Sequence, residues 1–103
     1  MEIIIATYNR LNKALVLAAS LIESKEIDKV IIVDSTLGES VPQTDTSRIR
    51  IIRSTHQNQP YQRYLGYLVS EAEIIFFLDD DMEIADKDVF SQTDLLFKDR
   101  SLA

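Results

Sequence analysis

Asp79, Asp80 and Asp81 stand in a row directly after the apolar run Ile74-Ile75-Phe76-Phe77-Leu78. A buried strand of that kind would deliver three carboxylates to one edge of a fold. Carboxylates so crowded repel. Two unit charges ~4 Å apart cost ~1 kcal/mol in water and ~4 kcal/mol at an effective dielectric of about 20. A hard divalent ion would relieve that cost, because it takes oxygen ligands and shares them with substrate phosphates. Two other segments repeat the arrangement of polar groups after an apolar run. Ile3-Ile4-Ile5-Ala6 leads into Thr7-Tyr8-Asn9-Arg10, and Val30-Ile31-Ile32-Val33 ends at Asp34.

The elements that must hold these groups follow from periodicity. The runs at Ile3–Ala6, Val30–Val33 and Ile74–Leu78 are short, apolar and rich in β-branched residues, as buried strands are. Ile49, Ile51 and Ile52 mark a further strand, flanked by Arg48, Arg50 and Arg53. Between the first two strands, Leu11, Leu15, Ala18 and Ile22 recur at helical spacing, with Ala14 and Ala19 beside them and Asn9 or Asn12 as cap. Before the fourth, Tyr61, Tyr64, Leu65, Leu68, Val69 and Ala72 form a second stripe, with Pro60 in its first turn. Ser35 to Ser47, with Gly38 and Pro42, reads as a polar loop. Val89, Phe90, Thr93, Leu96 and Phe97 suggest a last helix capped by Asp86. Strands alternating with helices predict an α/β fold with a mostly parallel sheet and flanking helices. Ligands in such sheets bind beyond the carboxyl ends of the strands, which is where Thr7, Asp34 and the aspartate cluster stand.

Composition narrows the function. The 103 residues suffice for one domain, read as residues 1–103, and the hydrophobic fraction of 46% suits a folded chain. A net charge of −6 argues against a nucleic-acid binder. It leaves room for a nucleotide ligand whose charge a metal balances. Cysteine is absent, so there is no disulfide or thiolate site. No basic leader and no run of ~18 apolar residues is present, which makes a cytoplasmic location the expectation.

Each singled-out residue also has a plainer reading. Thr7 would be a strand-ending hydroxyl, Asp34 a turn cap, and the aspartates a solvated charge run. Arg63 would pair with a nearby Asp. Gly66 costs roughly 1 kcal/mol in a helix against Ala, and close packing on the sheet explains it as well as ligand approach does. Asn9 reads better as a cap than as a ligand, Tyr61 and Tyr64 as core, and the lone His56 as no metal site.

Taken together, the segments Thr7-Tyr8-Asn9-Arg10, Val33-Asp34, Gln62-Arg63-Tyr64-Leu65-Gly66 and Asp79-Asp80-Asp81 resemble the pattern of the family 2 glycosyltransferases. That pattern has a T-Y-N-R-like end to the first strand, V-D ending the second, an A-R-N-x-G-like helix segment and a D-x-D motif after the fourth. The resemblance runs from Met1 to about Phe97. It implies the Rossmann-like, donor-binding half of a GT-A fold and a nucleoside-diphospho-sugar donor, UDP-type by family habit. It further implies Mn²⁺ or Mg²⁺ on Asp81 and Asp79, with Thr7 and Asp34 at the base and Asp80 near the ribose. Tyr8, Asn9, Arg10, Arg63 and Asp79 complete the implied nucleotide-binding set.

Four departures bear on the nucleotide contacts. Ser35 stands where a second acid is common, and the loop after Asp34 lacks a helical pattern. Tyr64 replaces the Asn of the A-R-N segment, and no Gly stands near Gln59-Pro60. The family's catalytic domain is also about twice as long, and its later half carries the acceptor pocket and the general base. Glu83, Asp86, Asp88 and Asp94 read as loop and helix-start acids, so no catalytic residue is assigned. The expectation is a donor-binding part whose acceptor is unknown and whose open sheet edge favours self-association. Two other classes compete. A haloacid-dehalogenase-like phosphatase also places Asp-x-Asp after a strand, but after its first. A binding-only α/β module, such as a receiver-like domain, would carry paired acids after strand one and a later lysine.

Overall fold

The computed structural model describes residues 1–36, 48–55 and 57–80, together with Phe90 and Gln92. Asp81, His56, most of the polar loop before Arg48, and the acids Glu83, Asp86, Asp88 and Asp94 lie outside the described residues, as does the expected last helix apart from Phe90 and Gln92. Along the chain run β1 (Glu2–Thr7), α1 (Leu11–Leu21), β2 (Lys29–Asp34), β3 (Ile49–Arg53), α2 (Gln59–Val69) and β4 (Ile75–Asp79). The strands form one parallel sheet in the order β3-β2-β1-β4. This is the expected α/β, Rossmann-like arrangement. The chain steps outward from β1 to β2 and β3. It then returns through α2 and sets β4 on the other side of β1. The direction of winding reverses between β1 and β4, and such a switch point is where open α/β sheets take ligands.

Register brings the strand ends level. Thr7 lies beside Asp34 on β2, and Ala6 beside Asp79 on β4. Period-two alternation divides the core. Ile3, Ile5, Val30, Ile32 and Leu78 face α1, where Ala14, Leu17, Ala18 and Leu21 meet them. Phe90 joins that side, with its ring edge-on to Phe76 at a centroid distance of 5.6 Å. Ile4, Ile31 and Val33 face the other way, against Leu65 and Val69 of α2.

Both helices depart from expectation in detail. Neither Asn9 nor Asn12 caps α1. Arg10 holds the cap position without a side-chain capping bond to the helix, and Asn9 sits in the left-handed region at φ 55°. Asparagine tolerates that conformation better than most residues, and it lets the chain turn from β1 into the helix. Ala19, grouped with the apolar stripe, is exposed. In α2 the tyrosines are not core. Tyr64 is 56% exposed and Leu68 58%. The buried positions are Gln62 and Gly66. The helix lies so close to β1 that only a small residue fits at the crossing.

A Cβ at Gly66 would stand 2.5 Å from Ile4 Cγ2. That settles the sequence-level ambiguity at Gly66 in favour of packing. Alanine would add ~1 kcal/mol of helix propensity. Overpacking a closed core costs about 1–3 kcal/mol. Cγ2 is a branch methyl on the Cβ rather than the far end of a flexible side chain, and Ile4 is fully buried, so the cost should win. Gly66→Ala is expected to lower the urea midpoint, and Gly66→Val to lower it further. An unchanged midpoint for both would contradict this packing.

Candidate functional site

The carboxyl ends of β1, β2 and β4 and the start of α2 meet at one edge of the sheet. Thr7 is the last residue of β1, and its hydroxyl donates to Asp80 Oδ2 at 2.7 Å. The same oxygen pairs with Arg10 Nε at 3.1 Å. Asp80 is 5% exposed, so the carboxylate sits sheltered with a hydroxyl and a guanidinium on one oxygen. Hydrogen bonds to an ionised acceptor are roughly twice as strong as neutral ones. This contact joins residues on either side of the switch point.

Asp34 behaves as a turn residue in this geometry. Its Oδ1 accepts from the Thr36 amide at 3.1 Å and from the Thr36 hydroxyl at 2.7 Å. Thr36 Oγ1 in turn accepts from the Asn9 amide at 2.8 Å, and Arg53 donates to the Thr36 carbonyl at 2.9 Å. The loops after β1 and β2 are therefore tied through one threonine. Asp79 pairs with Arg63 at 3.3 Å, both side chains being partly exposed. At that exposure the pair adds little to stability. It does neutralise one member of the aspartate cluster.

Gln62 holds the floor together. Its Nε2 donates to the Thr7 carbonyl at 3.1 Å and to the Val33 carbonyl at 2.8 Å. Thr7 O also accepts from the Ser35 amide at 3.1 Å and the Ser35 hydroxyl at 3.3 Å. At the head of α2, Asn58 caps the helix by accepting from the Tyr61 amide at 3.1 Å, with Pro60 in the first turn. A cavity of about 190 Å³ opens between these parts, lined by Thr7, Tyr8, Arg10, Asn58, Gln62 and Asp80, among others.

The structure thus brings Thr7, Tyr8, Arg10 and Asp80 to one cavity. It sets Asp34 and Asn9 on the adjoining loop contact and Asp79 with Arg63 beyond it. Asp81 lies outside the described residues. Among the described residues no group of three or more His, Cys, Asp or Glu could hold a metal ion, and none of the helices is long and apolar enough to cross a membrane. Sequence reading missed Thr36, Asn58 and Gln62. Asn58 two residues before Pro60 was an available cap signal, and Thr36 two residues after Asp34 was an available turn signal. Gln62, at the spacing of Leu65, Gly66 and Val69, interrupts the buried face of α2.

The family model described as glycosyl transferase family 2 matches residues 2–102. The chain belongs to glycosyl transferase family 2. This places it with glycosyltransferases rather than with phosphatases of the haloacid dehalogenase type, and the family implies a nucleotide-sugar donor in general terms. The glycosyl transferase family 2 pattern runs through both loops that Thr36 ties and through the helix that carries Gln62. No curated protein and no solved structure matches the chain.

Proposed function

We propose that this chain binds a nucleoside-diphospho-sugar of the UDP type together with a divalent cation, as the donor side of a glycosyl transfer. The observation that carries the reading is the Thr7–Asp80 hydrogen bond beside the cavity, in a chain matched by the family along nearly its whole length. The carboxylates set the chemistry. Asp79, Asp80 and Asp81 offer hard oxygen donors and no sulfur or imidazole, the ligand type that Mg²⁺ and Mn²⁺ accept. Asp79 and Asp81 would hold the ion. When bound, it would neutralise charge on the departing nucleoside diphosphate.

The chain's own residues have distinct parts. Asp34 offers an acceptor for an imide N–H of the base. Asp80 and Thr7 form a sheltered polar wall for the ribose. Arg10 and Arg63 supply positive charge near a diphosphate and hold Asp80 and Asp79 until ligand arrives. No residue is assigned as general base, and the acceptor is left open.

Isothermal titration with UDP and Mn²⁺ tests the reading. The parent is expected to bind UDP more tightly with Mn²⁺ than without it. Asp81→Ala is expected to abolish the Mn²⁺ dependence. Absence of binding, or an Asp81→Ala variant that binds as the parent does, would refute it. Turnover of a UDP-sugar, followed as UDP release, separates catalysis from binding alone.

A further inference from the structure

Gln62 is 2% exposed, yet it lines the cavity. Both hydrogens of its side-chain amide are committed, because the partners are the main-chain carbonyls of Thr7 and Val33. A carbonyl can only accept, so the amide cannot be flipped without losing both bonds. Its Oε1 accepts nothing from the described residues. The one sealed side-chain atom without a partner among them is Glu2 Oε1, at the far edge of the sheet. Gln62 Oε1 is therefore the face that the amide turns to the cavity. It is a fixed acceptor in a wall that already carries the Asp80 carboxylate.

We propose that Gln62 reads the ligand: its Oε1 accepts a hydrogen bond from an uncharged N–H or O–H of the nucleoside. This rests on the nucleotide reading above and adds a specificity-determining residue to it. Diphosphate oxygens present acceptors only, so a buried amide oxygen beside a carboxylate disfavours them and favours a base imide or a ribose hydroxyl. The A-R-N-x-G pattern carries alanine where this chain has Gln62, and a methyl group makes no such bond.

The test is titration in Mn²⁺ of the parent and of Gln62→Met with UDP, N3-methyl-UDP, 2′-deoxy-UDP and 3′-deoxy-UDP. Gln62→Ala is run in parallel as a second variant, and thermal melts accompany both. The expected result is about a five- to tenfold loss of UDP affinity in either variant, the size of one neutral hydrogen bond. That loss should vanish for the one analogue that lacks the group Oε1 accepts. Its disappearance with N3-methyl-UDP assigns the base, and with a deoxy analogue the ribose. A loss of equal factor for all four ligands would leave Gln62 as a clamp on the strand ends and overturn the proposal, while the nucleotide reading stands. A parent that binds none of the four would overturn both.

Discussion

Asp80→Ala is expected to weaken binding of UDP with Mn²⁺ by about 10- to 100-fold, the range of one lost hydrogen bond to a charged group. The carboxylate is nearly sealed, and two donors share one of its oxygens. Alanine leaves the buried Thr7 hydroxyl without that acceptor and releases Arg10 from its place on the cavity wall. Arg10 is half exposed, so water can receive it. The stability loss should therefore fall well short of the ~3–5 kcal/mol seen when one partner of a fully buried pair is removed. Asp80→Asn separates the contributions. Its amide oxygen can still accept from Thr7, while the charge that faces Arg10 and any cation is gone. Asparagine is expected to recover most of the urea midpoint and little of the affinity. If Asp80→Ala bound the donor as the parent does, the Thr7–Asp80 wall would be scaffolding and nothing more.

Ile5→Ala should cost about 2–5 kcal/mol, the usual range for emptying a closed aliphatic site. Ile5 is 0% exposed. It lies on the central strand, paired with Ile32 on one side and Leu78 on the other. A domain of this size has roughly 5–15 kcal/mol in total. One methyl-rich side chain thus carries a large share of the margin. The urea midpoint should drop steeply with the m-value unchanged. Val16→Ala, at a position 71% exposed on α1, should stay within about 0.5 kcal/mol of the parent. A similar shift in the two variants would show that β1 is not the centre of the core.

The parts of this fold that were readable from the chain are those whose cause is local. β1 and β2 announce themselves because both faces of a central parallel strand are apolar, and β4, at the edge of the sheet, through its unbroken apolar run. The helices announce their existence through spacing, and the alternation of types implies the parallel sheet. Helix orientation is another matter. The stripe of Tyr61, Tyr64 and Leu68 is as apolar as a buried face, yet the helix turns it outward, because Gly66 lets a different ridge approach Ile4. Hydrophobicity ranks faces, while closeness of approach chooses between them. The site divides in the same way. Asp34 is bonded within two residues, so its role in a turn was visible in the chain. Thr7 and Asp80 could be placed at one edge by topology, but their direct contact depends on register. Gln62 was passed over because its burial needs two carbonyls from separate strands, and no local pattern encodes that. Arg10 at the cap of α1 shows a rule failing for a positive reason: its side chain is engaged by Asp80.

The strand order also has a consequence in time. Asn9 and Thr36, which join the first two loops, are 27 residues apart. Thr7 and Asp80 are 73 apart. Closing the longer loop costs ~0.9 kcal/mol more in chain entropy, and distant pairings form late. β1, α1 and β2 can assemble as an early unit, with β4 annealing afterwards to the opposite side of β1. The last long-range contact to close in folding would then be the one that walls the cavity. Opening runs the other way: an edge strand that frays first takes the ligand's wall with it, so a bound donor would act as a latch on β4, slowing its exchange with solvent while the β1–β2 unit beneath keeps its own rate.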